Sequence, residues 1–482
     1  MKARLKTSAL LLLFALLSFL LNLNCSNTSK EKIKNEIAAK IDSIGNSFVE
    51  SGKVMGISIA VAKDGEVIYN NGFGYTDSLK KNPVTNDNIF LMASISKLVG
   101  AVMIMKIVEE NKLSLDNTLY DLLPDFPNQT QAKKIKLYHL ISHTSGLLDY
   151  AMEIDSIYMK TEIAPSKEDY YNFFSNHDLM FEPGTQYAYS NSGFLLMGMI
   201  IEKVTGNNFQ DEVDRVINKP AGTNIRLIAE TYDNPNTSTY FELIDSTMQP
   251  QKHWLWIKGD GGLSATAKDL ALFPFKWSDG TIISKSSFKK MCKPFILDSG
   301  IPTGYGLGVR NGTFEGIRAV GHTGGNKSGA AMMSFYPEEN LSVVVFVNTD
   351  NTPDDAIIIS GFVSLAVLQK DKPDIVNKEV NIKDEDLIRF TGLYGQHEYL
   401  GNEPFEIEIF LDSMDNHLYR KSSGSKFKGQ KLFYMGDNEF AYESFPMDRI
   451  KFEFNNEEKP AAYKIHWNGL FQRMGFRTNI EN

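Results

Sequence analysis

The sequence predicts an α+β fold in which helices flank an antiparallel sheet and an all-helical lobe is inserted between the halves of that sheet. A C-terminal all-β domain follows. Three observations predict this. Strand-like segments near residues 57 and 330–348 are separated by mostly helical patterns over about 113–260. The stretch 98–108 is apolar on most sides, as in a helix buried in a core. Beyond residue 373 the apolar period changes to two.

The first 25 residues are typical of an export signal. A basic start with Lys2, Arg4 and Lys6 precedes an apolar run over 8–23, which is shorter than the about 20 residues of a membrane-spanning helix. Cys25 follows in a context that resembles a bacterial lipoprotein processing site, although Asn24 stands where a small residue is usual. We therefore expect lipidation of Cys25, a tether over 26–34, and an exported protein anchored by lipid in the cell envelope or periplasm. Plain cleavage or an uncleaved anchor is the alternative.

The elements of the first globular domain, expected over 35–370, can be placed in order. Apolar residues at helical spacing predict a first helix over 33–49, and strands follow at 56–62 and 66–71 around a turn at 63–65. A helix packed on an antiparallel sheet satisfies both patterns. After the helical lobe at about 113–260, strands return at 330–336 and 341–348, and a closing helix is expected over 354–368.

The C-terminal domain is expected over 383–482. The segments 406–409 and 450–454 alternate strictly between polar and apolar residues, and turn residues separate several such short strands. A small antiparallel barrel or a sandwich fits this pattern.

Composition excludes several partners and sites. The formal net charge is −9 without a run of Lys or Arg, which argues against a nucleic-acid partner. Only two cysteines exist, so lipidation of Cys25 leaves Cys292 alone as a packing residue and rules out a cysteine zinc site. His139 and His143 are four apart, as in some metal sites, but neither a following Glu nor a third ligand is evident. We expect a structural role for both histidines, no metal and no organic cofactor.

Ser94 and Lys97 form the first candidate site. Residues three apart on a helix share a face, so the Lys97 amine can reach the Ser94 hydroxyl. A serine hydroxyl needs a neighbouring base to become a nucleophile, and a partly desolvated lysine can serve. The helix N-terminus adds backbone N–H groups suited to an oxyanion. On its own, the pair could equally be a helix cap and a solvated charge.

Two later segments extend this site. Tyr189 and Asn191 lie in a loop leading to a helix, where a phenol near cations can relay a proton and an amide can orient Lys97. The glycine-rich segment 321–325, with His322 and Thr323, would let backbone approach a ligand closely. Taken singly, the Tyr189 and Asn191 segment could equally be a loop aromatic followed by a helix cap. The glycine-rich segment could equally be a bulge or a turn at a strand edge.

Together the three motifs resemble the serine-reactive superfamily of class C β-lactamases, D-alanyl-D-alanine carboxypeptidases and related esterases. Their order and spacing match across about residues 35–370. Two further stretches also look like this superfamily, namely Tyr138-His-Leu-Ile-Ser-His143-Thr-Ser-Gly146-Leu147 and Gly261-Gly-Leu-Ser264-Ala-Thr-Ala-Lys-Asp269-Leu270. The resemblance implies a β-lactamase/transpeptidase-like fold for the first domain, and the C-terminal domain resembles the lipocalin-like barrel of some peptidase and esterase relatives.

The resemblance implies roles for individual residues. Ser94 would be the acylated nucleophile, Lys97 its partner in proton removal, and Tyr189 the general base in acylation and the acid toward the leaving group. Asn191 would position the substrate. The division of base chemistry between Lys97 and Tyr189 is left open. The strand beside which the substrate lies would contribute His322, Thr323 and Gly324. The oxyanion hole would use the backbone N–H groups of Ser94 and Gly325.

One departure shifts the expected substrate. Most β-lactamases of this group have a lysine where this chain has His322, and a neutral imidazole binds a carboxylate less strongly than an ammonium does. We therefore expect an exported serine hydrolase acting on D-amino-acid peptides or carboxyl esters, with peptidoglycan as a candidate partner. The alternatives are a β-lactamase and, from another class, a non-catalytic envelope or peptidoglycan-binding protein.

Overall fold

The computed structural model describes residues 33–151, 153–154, 163–245, 247–252, 255–326, 329–350, 354–396, 405–455 and 457–478. The expected export signal and Cys25 lie outside this part of the chain. Within it, none of the helices combines the length and the apolar character that crossing a membrane would require.

Twelve strands precede the barrel in the described residues. They are β1 (Gly56–Lys63), β2 (Glu66–Gly74), β3 (Phe90–Leu91), β4 (Arg226–Leu227), β5 (Tyr240–Ile244), β6 (Thr247–Gln251), β7 (Leu263–Ala265), β8 (Arg310–Phe314), β9 (Ile317–Asn326), β10 (Gly329–Tyr336), β11 (Leu341–Val347) and β12 (Thr349–Asp350). The main sheet has the order β2-β1-β11-β10-β9-β8, and its strand pairs are antiparallel. The early and late strand segments of the sequence therefore meet in one sheet.

The helices follow the same order along the chain. They are α1 (33–50), α2 (Ile95–Glu109), α3 (Leu119–Leu122), α4 (Gln129–Lys134), α5 (Leu137–Ile141), α6 (Lys167–Asn176), α7 (Ser192–Thr205), α8 (Phe209–Val213), α9 (Lys219–Ala221), α10 (Ile228–Thr231), α11 (Ala267–Ser278), α12 (Lys285–Met291), α13 (Asp354–Val367) and α14 (Asp384–Leu387). The strands and helices together confirm the predicted α+β fold.

The main sheet separates two apolar layers because successive strand residues point to opposite faces. On β1, Ile57, Ile59 and Val61 belong to the layer that contains residues of α1 and α13. Ala60 and Ala62 belong to the layer that contains α2 and α11. Every residue of β11 is buried, as expected for a strand covered on both faces.

Helix α2 lies deep in the core, as its apolar sequence predicts. Twelve of its fifteen residues are buried, and one of them is Lys97. A long helix packed on all sides gives little freedom to a side chain at its N-terminus. The start of α2 is therefore a rigid place for functional groups.

The region predicted as a helical lobe also contains a hairpin. Strands β5 and β6 pair antiparallel, and β5 pairs parallel with β12 beyond the main sheet. The β6 sequence contains Pro250 and lacks apolar alternation, so its pattern gives no strand signal. Its pairing depends on distant residues instead.

The C-terminal part is a closed antiparallel barrel, which confirms the all-β prediction and selects the barrel over the sandwich. Its strands are β13 (Gly392–Gln396), β14 (Phe405–Asp412), β15 (His417–Ser422), β16 (Gln430–Gly436), β17 (Glu439–Tyr442), β18 (Arg449–Glu453), β19 (Ala462–Trp467) and β20 (Leu470–Arg477). Closure is made by β13 and β20, with Tyr394 opposite Arg477. Aromatic side chains such as Phe390, Phe440 and Phe452 fill the interior.

Strand β20 joins the barrel to the first domain. The Phe471 ring packs on Tyr187, 5.1 Å between centroids, and Gly304 lies directly against Phe471. At Gly312 a Cβ atom would come within 1.7 Å of the Gly469 carbonyl oxygen. The contact therefore depends on glycine, and the two domains approach backbone to backbone.

Candidate active site

Ser94 occupies the N-cap position of α2. The preceding residue, Ala93, has a left-handed φ of 45°, which turns the chain sharply into the helix. A short sheet holds this turn in place: the Met92 N–H donates to the Leu263 carbonyl at 2.7 Å, and the Leu263 N–H donates to Ser96 Oγ at 3.0 Å. The hydroxyl and the N–H of Ser94 are thereby presented at the N-terminal end of α2, the positive end of its dipole. The next three N–H groups, of residues 95–97, donate to the carbonyls of residues 92–94.

Lys97 is fully buried and its amine contacts three oxygen atoms. Nζ lies 3.0 Å from Ser94 Oγ, 2.7 Å from Asn191 Oδ1, and also within hydrogen-bond distance of the Asp260 carbonyl. The Asp260 carbonyl oxygen and Asn191 Oδ1 act only as hydrogen-bond acceptors. Two N–H bonds are therefore committed, and the third direction of the amine points at Ser94 Oγ. In that direction an ammonium donates a proton and an uncharged amine accepts one.

Asn191 is oriented by a buried carboxylate that the sequence analysis did not identify. Asp149 accepts the Asn191 N–H at 2.8 Å, the Asn191 Nδ2 donor at 3.1 Å, and the Ala151 N–H at 3.0 Å. Because Nδ2 faces Asp149, the amide oxygen must face Lys97. Burial raises the pKa of Asp149 to about 6.

The Tyr189 ring lies between two cations and beside a buried histidine. Lys97 Nζ is 5.2 Å from its centroid, and the Arg310 guanidinium carbon is 5.1 Å away. The His143 ring is 4.1 Å from the same centroid. His143 Nδ1 accepts the Ser190 N–H, and burial lowers the pKa of His143 well below its usual range. His143 therefore supports the loop before α7 as a neutral ring.

His139 occupies a different place from His143. Its Nδ1 accepts the Lys136 N–H at 3.1 Å, and burial lowers the pKa of His139 to about 4. Among the residues with described positions, no group of three or more His, Cys, Asp or Glu side chains is arranged to hold a metal ion.

His322 lies on β9 with its imidazole completely buried. Its Nδ1 contacts the Thr323 carbonyl at 2.5 Å, and since a carbonyl only accepts, Nδ1 carries the proton. Its Nε2 lies 2.8 Å from the Tyr305 hydroxyl and accepts from it when the ring is neutral. Burial, reinforced by nearby Arg310, lowers the pKa of His322 well below its usual range. The ring therefore lacks access to a substrate in this conformation.

The rest of the third motif lies beside the start of α2. β8 pairs with β9 over 317–321, and residues 323–325 have no strand partner on that side in the described part of the chain. A Cβ on Gly324 would lie 2.3 Å from the Met92 carbonyl oxygen and 3.3 Å from Ala93 Cβ. Thr323 Oγ1 donates to Gln472 Oε1 of the barrel at 3.4 Å. Gly325 is exposed. Gly324 on the strand edge thus lies against the turn that precedes the predicted nucleophile.

Sequence reasoning missed the buried groups behind the site. They are Asp149, Asp260, Tyr305 and Arg310. Asp149 lies two residues after the stretch 138–147 and Asp260 directly precedes the stretch 261–270, so those stretches offered a signal. Asp260 accepts from the Tyr150 hydroxyl at 2.5 Å, and burial raises the pKa of Asp260. Arg310 and Tyr305 lie in no recognisable local pattern.

Chemically, the arrangement suits acyl transfer. A hydroxyl lies against an amine whose other hydrogen bonds are fixed, at a helix N-terminus that favours negative charge. A phenol next to two cations adjoins the amine. No part of this geometry requires a metal ligand set.

Comparison with known proteins gives the same indication. A family model described as Beta-lactamase matches residues 41–367. Penicillin-binding protein 4* of Bacillus subtilis (strain 168) is 27% identical over 339 residues, which cover 67% of this chain and 73% of that protein. A D-aminopeptidase of Gluconobacter oxydans (strain 621H) is 26% identical over 302 residues, 61% of this chain and 55% of that protein. The chain thus spans little more than half the length of the latter relative.

A solved structure extends the similarity to the barrel. The octameric penicillin-binding protein homologue from Pyrococcus abyssi superposes with a TM-score of 0.62 at 25% identity, covering 91% of this chain and 99% of that one. The matched family model covers well over half of the chain, and the resemblance inferred from the motifs is confirmed. The chain belongs to the Beta-lactamase family and is a serine hydrolase.

Proposed function

We propose that the chain hydrolyses amide or ester bonds of D-amino-acid compounds through an acyl-enzyme on Ser94. The observation that carries the proposal is the 3.0 Å contact between Ser94 Oγ and Lys97 Nζ, with the remaining Lys97 contacts fixed by Asn191 and Asp260. A hydroxyl held against an amine in a buried site is the usual requirement for an activated serine.

Acylation would proceed with one proton transfer in each direction. Ser94 Oγ bonds to the substrate carbonyl carbon while its proton moves to Lys97 Nζ, and the carbonyl electrons move onto oxygen near the Ser94 and Gly325 N–H groups. When the bond to the leaving nitrogen or oxygen breaks, Tyr189 returns a proton to the leaving group. Water then attacks the ester carbon and gives a proton to the Tyr189 phenolate. The bond between that carbon and Ser94 Oγ breaks, and Ser94 regains its proton from Lys97.

Two considerations favour D-amino-acid amides, peptides or esters over β-lactams. The relatives include a D-aminopeptidase. His322, which stands in the third motif, is buried and neutral, so it supplies no permanent cation for a substrate carboxylate. A β-lactamase remains the second candidate because both reactions pass through the same acyl-serine.

The test combines covalent labelling with turnover. A fluorophosphonate probe should label the wild type, and peptide mass spectrometry should locate the adduct on Ser94. Ser94→Ala should abolish labelling, whereas Ser278→Ala, a half-buried serine on α11, should label normally. An adduct on another residue would refute the assignment. The absence of labelling by both this probe and a fluorescent penicillin would favour a non-catalytic envelope protein.

Substrate choice is tested with the same preparation. D-alanine amide, D-Ala-D-Ala peptides, p-nitrophenyl esters and nitrocefin are compared by kcat/KM. We expect D-amino-acid amides, peptides or esters to exceed nitrocefin. A reversed order would make β-lactam hydrolysis the main activity.

We also propose that the protein acts in the cell envelope, held by a lipid on Cys25, with peptidoglycan fragments as substrate or partner. The support is the basic start, the apolar run over 8–23 and the cysteine that follows. Metabolic labelling with a palmitate analogue should mark the wild type and not Cys25→Ala. Label retained in Cys25→Ala would contradict the proposal.

A further inference from the structure

A cavity lies at one end of the barrel, where α13 of the first domain covers the opening. Its volume is about 410 Å³, within the roughly 300–1,000 Å³ range of small-molecule sites. Its lining contains none of the residues of the candidate active site. Ligands commonly bind at the mouths of β-barrels, so this cavity is a candidate ligand site separate from the active site.

The walls of the cavity are largely apolar. Ile357 and Phe362 of α13 form one side. Trp467, Ile465 and Met447 form the barrel side. An apolar chain or ring would bury its surface against both domains there.

The charged groups in the cavity are mainly basic. Lys372, Arg420 and Arg473 line it, and Asp448 is the acidic residue among the lining side chains. The Arg473 guanidinium lies 5.4 Å from the Trp467 ring centroid, which fixes its plane beside the apolar wall. The excess of positive charge favours an anionic group on the occupant.

Tyr442 contributes a hydroxyl that is without a hydrogen-bond partner in the described part of the chain. The residue is 4% exposed, lies on β17 and lines the cavity. Burial raises the pKa of Tyr442; nearby Arg420 and Arg473 oppose that rise, and the Asp448 carboxylate adds to it. A buried donor without an acceptor is costly, and a ligand oxygen would satisfy it.

We propose that this cavity binds an amphipathic monocarboxylate, such as a medium-chain fatty acid. The apolar chain packs between α13 and the barrel wall. The carboxylate accepts a hydrogen bond from Tyr442 and lies beside the Arg420 and Arg473 guanidinium groups. This binding site does not depend on the Ser94 chemistry, so it can be tested separately from the proposed function.

Binding is measured on the full chain carrying Ser94→Ala, so that acyl chemistry is removed. Isothermal titration with dodecanoate is compared with dodecanol and dodecylamine, which share the chain and change only the head group. Dodecanoate should bind saturably, at least about tenfold tighter than either comparator, because only its head group matches the charges. Equal affinity for the three compounds, or no saturable dodecanoate binding, would overturn the proposal.

Two further variants locate the bound molecule. Tyr442→Phe should weaken dodecanoate binding about tenfold without lowering Tm, because the hydroxyl has no hydrogen-bond partner to lose among the described residues. Lys372→Glu, at an exposed position of the lining, should weaken it about two- to fivefold. Lys370→Glu, exposed and outside the lining, is the matched control. Unchanged affinity in both Tyr442→Phe and Lys372→Glu would place the ligand elsewhere and refute the site.

Discussion

The guanidinium carbon of Arg310 lies 5.1 Å from the centre of the Tyr189 ring. The same guanidinium donates through Nη1 to the carbonyl oxygens of Phe471 at 2.8 Å and Gln472 at 3.0 Å. Among the described residues, no carboxylate forms an ion pair with Arg310. Backbone carbonyls of the barrel therefore hold the buried Arg310 guanidinium of the first domain against Tyr189, the proposed proton donor.

Replacing Arg310 should slow the chemical step. A desolvated cation over an aromatic ring contributes about 2 kcal/mol, so Arg310→Met should lower kcat roughly 30-fold with little change in KM. The kcat of Arg310→Lys should lie between those of the wild type and Arg310→Met, because lysine keeps the charge and loses the planar donor fork. Steady-state kinetics check this, with Arg318→Met on β9 as the control. A rise in KM at constant kcat would mean that Arg310 binds substrate instead of positioning Tyr189.

Separating the barrel from β8 should lower kcat as the loss of Arg310 does, although no polar side chain is changed. Gly312→Ala places a methyl group against the Gly469 carbonyl oxygen, 1.7 Å away before relaxation. We expect a loss of kcat comparable with that of Arg310→Met and a lower Tm. Thr313→Ala, at the exposed neighbouring position, should leave both unchanged. Full activity in Gly312→Ala would show that the interdomain contact is dispensable.

Activity should decline in acid as Asp149 gains a proton. Its carboxylate accepts two donors of Asn191 and the Ala151 N–H, and protonation removes one acceptor. With the pKa raised to about 6, kcat/KM should fall about tenfold per pH unit below that value. Its effect on stability has the opposite sign: the stabilisation from protonated Asp149 is present below about pH 4 and is lost as the pH rises through about 6.

The pH profile of Asp149→Asn checks the assignment. The variant should be less active at pH 8 and should lack the limb near pH 6. Asp211→Asn, an exposed carboxylate on α8, should keep the wild-type profile. A limb that persists in Asp149→Asn belongs to another group.

Gly324 should be essential because of its close approach to the turn before Ser94. A methyl group there would sit 2.3 Å from the Met92 carbonyl oxygen and push β9 away from α2. Small displacements at a reacting centre are costly, so Gly324→Ala should lower kcat/KM by at least about 100-fold. Gly261→Ala, where the nearest atom is 3.5 Å away, is the matched substitution. Similar kinetics for the two variants would argue against this packing.

Cys292 should be unreactive in the folded protein. It is 2% exposed, and burial raises the pKa of its thiol to about 12. The thiolate fraction at pH 8 is then about one in ten thousand. In a Cys25→Ala background, labelling with a chromogenic disulfide at pH 8 should be negligible until denaturant is added. Rapid labelling of the native protein would show that the core around α12 opens.

The parts of the site that depend on local spacing could be predicted from the sequence. Ser94 and Lys97 share a helix face, and the order of the motifs revealed the family. The inward orientation of the His322 ring could not be foreseen, because it depends on Tyr305 from another segment. Arg310 was missed for the same reason: a single arginine gives no pattern, and its acceptors belong to the other domain.

The fold shows the same division. Apolar periodicity predicted α2, the late strands and the period-two C-terminal strands. Strand β6 could not be predicted because its pairing with β5 outweighs a sequence that contains Pro250. Barrel closure likewise depends on the register of Tyr394 with Arg477, which are remote in sequence.

The acceptors of Arg310 lie 161 and 162 residues further along the chain, which affects the order in which a newly made molecule matures. Synthesis proceeds from the N-terminus at about 5–20 residues per second, so roughly 10–30 s separate the emergence of the arginine from that of its clamp. During that interval the serine and its amine can already be in place without the barrel. We expect the nascent enzyme to remain roughly 30-fold less active than the mature enzyme until β20 closes the barrel.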